Sequence, residues 1–330
     1  MTARSARADG LVLALSGGIG GAKLALGLSR VLPPRELIVI ANTGDDFEHL
    51  GLKISPDLDT LMYTLAGVND ADQGWGRRAE TWTFMAALAA LGGETWFRLG
   101  DGDLATHVER TRRLGVGETL SQVTADFCSR LGVQTKILPM SDDAVRTRLR
   151  TAEGWLEFQD YFVRRRCKPA VAELAYEGAA SARPQPELMA ALKDPRLRAV
   201  VITPSNPFLS IDPILALPGV RDALKTCAAP VVAVSPIIEK RAVKGPTAKM
   251  MSELGLPVTA AAVARHYGDL LTGYVVDHAD AGTVACPELE VATAATLMVT
   301  LADREALARE VLAFADALRR SRAEAAGAPA

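Results

Sequence analysis

Apolar residues along this chain fall into short, separated runs, and most of them end in polar or glycine-rich turns. The runs LVLAL at 11–15, LIVI at 37–40, KILP at 136–139, AVVI at 199–202, PVVAVS at 230–235 and GYVVD at 273–277 have strand length. Continuous apolar runs, rather than alternating ones, suit strands covered on both faces. Between them the apolar spacing turns helical, over 61–66, 80–91, 104–114, 119–131, from about Pro246, and over 302–326. Strands alternating with helices predict an α/β fold with a doubly wound, mostly parallel Rossmann-like sheet. The rhythm breaks over about 140–195, which reads as a helix-rich insertion. Residues 1–9 read as a flexible N-terminus and 321–330 as a disordered Ala/Pro tail, leaving 10–320 as a single domain. No internal repeat is visible.

In a doubly wound sheet the turns after the strands carry the ligand, so their polar residues matter most. The first is Ser16-Gly17-Gly18-Ile19-Gly20-Gly21-Ala22-Lys23, leading into a helix. Its glycines let backbone N–H groups approach a ligand closely, and the helix N-terminus behind them favours phosphate. Gly17, Gly18, Gly20, Gly21 and Lys23 are therefore candidate phosphate-binding residues. It is not a P-loop, which needs Gly-Lys-Ser/Thr, nor a full GxGxxG. A close strand–helix turn with no ligand is the alternative. The next turn carries Asp45 and Asp46, and Asp57 and Asp59 follow in Ser55-Pro56-Asp57-Leu58-Asp59-Thr60. A phosphate cradle facing four carboxylates suggests a nucleotide diphosphate with a divalent cation between them.

Later turns add weaker candidates. Asp101 and Asp103 sit in an acidic glycine turn, where Asp103 could equally cap a helix. Ser205 and Asn206 form a rigid polar turn between two prolines, and Lys244 and Lys249 flank a helix start at Pro246. Arg164, Arg165 and Arg166 read either as a solvated face or as an anion-binding cluster.

Composition narrows the class. The chain has 330 residues, 49% hydrophobic and 23% charged, which fits a globular enzyme with a large core. A net charge of −2 gives no reason to expect nucleic acid or an anionic membrane as partner. Cys128, Cys167, Cys227 and Cys286 are far apart and lack metal spacing, so reduced thiols in a cytoplasmic protein are expected. The apolar run after Arg4 and Arg7 is too short for a secretory signal.

Eight blocks in order carry a family resemblance: SGGIGGAK, NTGDD, SPDLDT, LGDGDLATH, LPMSDD, EFQDYFVRRR, PSNPFLSI and KGPTAKMM. Together they resemble the 2-phospho-L-lactate transferase family of coenzyme F-420 biosynthesis, whose actinobacterial members use a phosphoenolpyruvyl donor. The likeness runs from about Leu11 to about Asp280. One departure is Asp103, where family members often have Arg. The resemblance implies a Mg2+-dependent transfer from a guanosine diphosphate bearing lactate, enolpyruvate or glycerate to the terminal ribityl hydroxyl of the deazaflavin Fo, with release of GMP. It implies Fo contacts at Asp59 and Arg98, Asp59 as the group handling the attacking hydroxyl, and Asp45 as a magnesium ligand. Asp46, Asp57 and Asp59 complete the metal candidates, and Ser205, Asn206 and Lys249 are weaker nucleotide candidates. A homodimer is expected on the same ground.

Three other readings compete. A nucleotide-sugar-binding regulator of a related glycine-rich family would lack the EFQDYF and PDLD blocks. An NAD-dependent dehydrogenase, with Asp45 or Asp46 on the ribose, would want a fuller GxGxxG. A metal-dependent phosphatase would want clustered histidines, whereas His49, His107, His266 and His278 are scattered in sequence.

Overall fold

The computed structural model describes residues 10–243 and 245–325. The expected flexible segment 1–9, Lys244 and residues 326–330 lie outside the described residues. The chain runs β1 (Leu11–Ser16), α1 (Gly18–Val31), β2 (Leu37–Ala41), a hairpin of β3 (Phe47–His49) and β4 (Leu52–Ile54), then α2 (Pro56–Ala66) and α3 (Thr83–Ala90). Next come α4 (Asp101–Gly115), α5 (Leu120–Arg130), β5 (Lys136–Pro139), β6 (Arg146–Thr151), β7 (Gly154–Glu157), β8 (Glu173–Glu177) and α6 (Pro186–Ala191). The last part holds β9 (Leu197–Ile202), α7 (Asp212–Leu215), α8 (Val220–Thr226), β10 (Val231–Val234), a ribbon of β11 (Ile237–Ile238) and β12 (Arg241–Ala242), and α9 (Thr247–Glu253). It closes with α10 (Ala260–Tyr267), β13 (Gly273–Asp277), β14 (Glu290–Ala294) and α11 (Leu301–Ala325).

Seven strands form one sheet in the order β14-β13-β10-β9-β1-β2-β5, and every neighbouring pair is parallel. The chain steps outward from β1 through β2 to β5, returns to lay β9 against β1, and then steps the other way. The reversal falls between β1 and β9, which is where such sheets open a ligand crevice. Side chains of β1 alternate between two cores: Leu13 and Leu15 face one, Val12 and Ala14 the other. Leu24 and Leu28 of α1, Leu61 and Met62 of α2, and Leu307 and Val311 of α11 cover the second face. Residues from the middle segment and α6–α10, among them Leu149, Tyr161, Leu188, Val220 and Tyr267, cover the first. Burial on both faces is why the β1 and β9 runs read as unbroken apolar stretches.

Three expectations are corrected. The segment 140–195 is not mainly helical but is built around an antiparallel sheet in the order β7-β6-β8. Strand β6 reads RTRLRT, with Thr147, Leu149 and Thr151 buried, Arg146 and Arg148 half-buried and Arg150 exposed. Arg148 pairs with Glu157 and Glu177, and Arg150 with Glu173, across the neighbouring strands. Cross-strand ion pairs hold an alternation in which arginines had hidden the strand period. Helix α2 starts at Pro56, about five residues earlier than expected, with proline in its first turn and a left-handed Gly67 after its end. Asp57 and Asp59 therefore sit on a helix, not in a loop. Helix α11 continues through 321–325, so the tail expected there is helical as far as Ala325.

Candidate active site

At the reversal point the turn after β1 packs directly on the turn after β9. Gly17 N–H donates to Ser205 Oγ at 3.1 Å, and Ser205 Oγ donates back to Gly17 O at 2.7 Å. Gly18, left-handed at φ 64°, donates its N–H to Asp57 Oδ1 at 2.6 Å. A Cβ on Gly17 would lie 2.4 Å from Asp57 Oδ2, and one on Gly21 would lie 2.5 Å from Ser16 Oγ and 2.6 Å from Ser205 Oγ. These glycines are thus demanded by close packing as well as by any ligand. Two of the N–H groups expected to cradle phosphate already serve protein side chains. Gly17, Gly18, Gly20 and Lys23 border the neighbouring cavity, whereas Gly21 faces Ser16 and Ser205.

Asn42, buried at the end of β2, organises the carboxylates. Its Nδ2 donates to Asp45 Oδ1 at 3.1 Å, Asp57 Oδ2 at 2.9 Å and the Leu209 carbonyl at 3.1 Å. Its Oδ1 accepts the Gly44 N–H at 2.8 Å, which fixes the turn. Asp45 and Asp57 therefore face each other across one amide, and both line the cavity. Burial, and then the charges of Asp57 and Asp46, push the Asp45 carboxyl well above the usual range. Burial likewise raises Asp57 to about 6 and Asp46 to about 7. Asp46 accepts from Ser55 Oγ at 2.8 Å, yet its buried Oδ1 has no partner. Buried carboxylates that repel one another and leave an oxygen unsatisfied suit a hard divalent cation bound by oxygen. Asp45 and Asp57, brought to one Asn42 amide beside the cavity, could hold such an ion, whereas Asp46 does not converge with them into a three-carboxylate group.

Asp59 stands apart. Two residues on from Asp57 in a helix, it projects to a different side, where Arg110 of α4 grips both of its oxygens. It does not border the cavity that Asp45 and Asp57 line. Arg110 Nη1 also lies 3.2 Å from His107 Nδ1. Since a guanidinium can only donate, His107 Nδ1 accepts; Nε2 lies 3.2 Å from Asp103 Oδ2 without hydrogen-bond geometry. Tyr63 OH donates to Asp103 Oδ1 at 2.8 Å. Asp59, Asp103 and His107 place ligand atoms within 4.8 Å of one another, but Arg110 already supplies the positive charge among them. Asp103 is a member of this buried chain and not a helix cap. Glu80 instead accepts the Gly102 and Asp103 N–H groups at the start of α4.

The cavity itself is about 510 Å³. Its lining combines the glycine turn, Asp45, Asp57, Ser205 and Asn206 with the aromatic side chains Trp75, Trp96, Phe97, Phe158 and Phe162. Arg98 is in the wall, with its guanidinium 4.0 Å from the centre of the Trp82 ring. Lys23 also lines the cavity and donates to the Met298 carbonyl at 2.8 Å. Lys249 does not line it: its ammonium bonds Glu253 and the Pro169 carbonyl. Arg164 pairs with Glu94 at 3.0 Å and Arg165 with Asp160 at 2.7 Å, which favours a structural role for the arginine run. Asn42 and Arg110 were missed in the sequence. An Asn opening a Gly turn and an Arg spaced 3 and 7 residues after His107 and Asp103 were the available signals.

All four cysteines are free thiols. No helix among the described residues is long and apolar enough to cross a membrane. Comparison with known proteins identifies the family. The family model of 2-phospho-L-lactate transferase CofD matches residues 12–318. A phosphoenolpyruvate transferase of Streptomyces griseus is 43% identical over 319 residues, covering 93% of this chain and 99% of that protein. One of Streptomyces avermitilis is 44% identical over 320 residues, with the same coverage. One of Thermobifida fusca is 42% identical over 287 residues, covering 83% of this chain and 88% of that protein. Among solved structures, a member of the UPF0052 family from Bacillus halodurans shares the fold at TM-score 0.61 and 15% identity, covering 92% of this chain and 99% of that one. The chain is thus a member of the 2-phospho-L-lactate transferase CofD family, an enzyme that transfers a phosphorus-containing group.

Proposed function

We propose that the cavity receives the deazaflavin Fo together with a guanosine diphosphate bearing a three-carbon acid on its outer phosphate. The terminal ribityl hydroxyl attacks the outer phosphorus, the phosphoanhydride bond breaks, GMP leaves, and a phosphodiester joins Fo to the acid. The observation that carries this reading is a single cavity lined both by carboxylates beside the glycine turn and by five aromatic side chains. A flat tricyclic ring suits an aromatic end, and a diphosphate with its cation suits a carboxylate end. Magnesium held by Asp45 and Asp57 would neutralise charge on the phosphate oxygens.

The chain's own residues do the rest by alignment. Asn42 fixes the spacing of Asp45 and Asp57, and the Asn206 cap on the Phe208 and Leu209 N–H groups holds the facing turn. Proton acceptance from the attacking hydroxyl falls to a carboxylate that borders the cavity, Asp45 or Asp57. Asp59, engaged by Arg110, supports them from behind. Arg98, against the Trp82 ring in the cavity wall, is placed to meet a polar edge of the deazaflavin. The same reading carries a homodimer and a cytoplasmic location, which light scattering and cell fractionation would check.

The test is incubation with Fo, magnesium and guanosine diphosphates carrying lactate, enolpyruvate or glycerate, followed by mass spectrometry. Release of GMP with a new Fo phosphodiester is expected, and its mass names the acid. No product from any donor, with tight binding of a nucleotide sugar instead, would move the assignment to a regulator.

A further inference from the structure

The turn after β9 supplies Asn206, Leu209 and Ser210 to the cavity wall, and it is braced from outside by residues the reaction has not yet claimed. Pro207–Ile211 forms a single π-helical turn, a rare geometry found mostly as isolated turns at functional sites. The peptide between Phe208 and Leu209 is gripped on both sides. Its Leu209 N–H donates to Asn206 Oδ1 at 3.1 Å, and its Phe208 carbonyl accepts from the Tyr176 hydroxyl at 2.7 Å. The next carbonyl, Leu209 O, takes the Asn42 amide at 3.1 Å, and that same amide spaces Asp45 and Asp57. Because a peptide moves as a rigid plane, turning the Phe208–Leu209 unit would shift Leu209 O and Asn42 with it.

Tyr176 reaches this turn from β8, in the antiparallel sheet of the inserted segment, and a dyad aligns it. Asp212 Oδ2 lies 3.4 Å from the same hydroxyl. His266 of α10 places Nε2 at 3.0 Å and 2.8 Å from the two Asp212 oxygens, and since a carboxylate only accepts, Nε2 donates. The His266 ring also meets Phe208 edge-on, with centroids 4.7 Å apart. Burial, and then the charge of Asp212, push the Tyr176 hydroxyl well above its usual range, so it stays a donor. Tyr176, Asp212 and His266 do not line the cavity.

We propose that Tyr176, aligned by Asp212 and His266, is a positioning residue for the acid pair: it sets the Phe208–Leu209 peptide so that Leu209 O holds Asn42, and Asn42 holds Asp45 and Asp57 at their working separation. The assignment rests on the transferase reading above. It also gives the inserted sheet a task in the reaction, since β8 delivers the hydroxyl to the turn.

The experiment uses Tyr176→Phe, which removes only that hydroxyl, with two readouts. One is steady-state GMP release with Fo, magnesium and guanosine diphosphates carrying lactate, enolpyruvate or glycerate. The other is the magnesium concentration that gives half of the ion's rise in Tm without substrates. Expected are a fall in kcat of about threefold to tenfold, the factor one net hydrogen bond supplies, a rise of similar size in the magnesium midpoint, and KM values within about twofold of wild type. His266→Ala should move both readouts the same way, and His266→Gln, which can still donate to Asp212, should recover most of the loss. Residues acting as one unit should also make the double variant Tyr176→Phe with His266→Ala lose less than the product of the single losses. Wild-type kcat and magnesium midpoint in Tyr176→Phe would overturn the proposal. So would a loss confined to Tm, which packing alone would give, or one confined to KM. If the wild-type protein released no GMP from any donor, the transferase reading would fall, and the magnesium midpoints would still decide whether Tyr176 positions the acids. With no magnesium effect on the wild-type melt either, the positioning role would fall with it.

Discussion

Replacing Arg110 with Met separates a structural role for Asp59 from a catalytic one. Arg110 is among the largest fully buried side chains, and both oxygens of Asp59 depend on it. Methionine fills similar space but leaves the carboxylate buried without its cation. Breaking a buried ion pair from one side costs about 3–5 kcal/mol. For a domain of this size that corresponds to a fall in Tm of roughly 5–8 °C. Loss of the His107 Nδ1 contact adds to the cost. Replacing both partners, Arg110→Met with Asp59→Leu, removes the unpaired charge and should recover most of the loss, because apolar substitutes for a buried pair are often neutral. Thermal melts of wild type, both single variants and the double variant give the coupling directly.

Asp59→Asn sharpens the contrast. With Arg110 holding the side chain, the variant should lose stability first and retain transfer at a permissive temperature. A catalytic base at this position would behave oppositely, with Tm unchanged and kcat lost by orders of magnitude. That second pattern, or a stability loss in Arg110→Met below about 1 kcal/mol, would refute the reasoning.

Asp57→Asn and Asp45→Asn should each lower kcat/KM for transfer by at least about a hundredfold, as expected when a group stabilising the transition-state charge is removed; both should also lose the rise in Tm that magnesium gives the wild-type protein in a melt at fixed pH. Arg98→Ala should raise KM for Fo by about tenfold with little change in KM for the donor, because its guanidinium lies against the Trp82 ring; steady-state kinetics varying each substrate decide this. Gly21→Ala should destabilise by about 1–3 kcal/mol, since its methyl would meet Ser16 Oγ at 2.5 Å, and a melt within error of wild type would show that the turn has room.

How much of this was legible follows from range. The parallel sheet was readable because strands buried on both faces are written as unbroken apolar runs, as at 11–15 and 199–202. Asp45 and Asp57 were readable because they follow or face strand ends. The split between Asp57 and Asp59 was not, because it turns on where α2 begins: a helix start at Pro56 sends the two side chains apart, whereas a loop would let them converge. The partner that decides Asp59, Arg110, lies 51 residues away. The sheet of 146–177 was hidden for a local reason, since arginines with long aliphatic stems alternate there with threonines and blur the apolar period.

The glycine turn shows why the motif alone misleads about mechanism. In a P-loop the N–H groups at the helix start hold phosphate directly. Here Gly18 N–H holds Asp57, and Gly17 N–H holds Ser205, so the positive end of α1 steadies a carboxylate. A carboxylate in that place repels a diphosphate unless a cation stands between them. The same Asp57 shares Asn42 with Asp45, so the two acids are held at the spacing set by one amide. On the proposed reading the turn acts on phosphate at one remove: it orders the acids, the acids suit a divalent cation, and the cation would meet the anion. This explains why the chain has the glycines of a phosphate loop without the Lys-Ser/Thr that completes one.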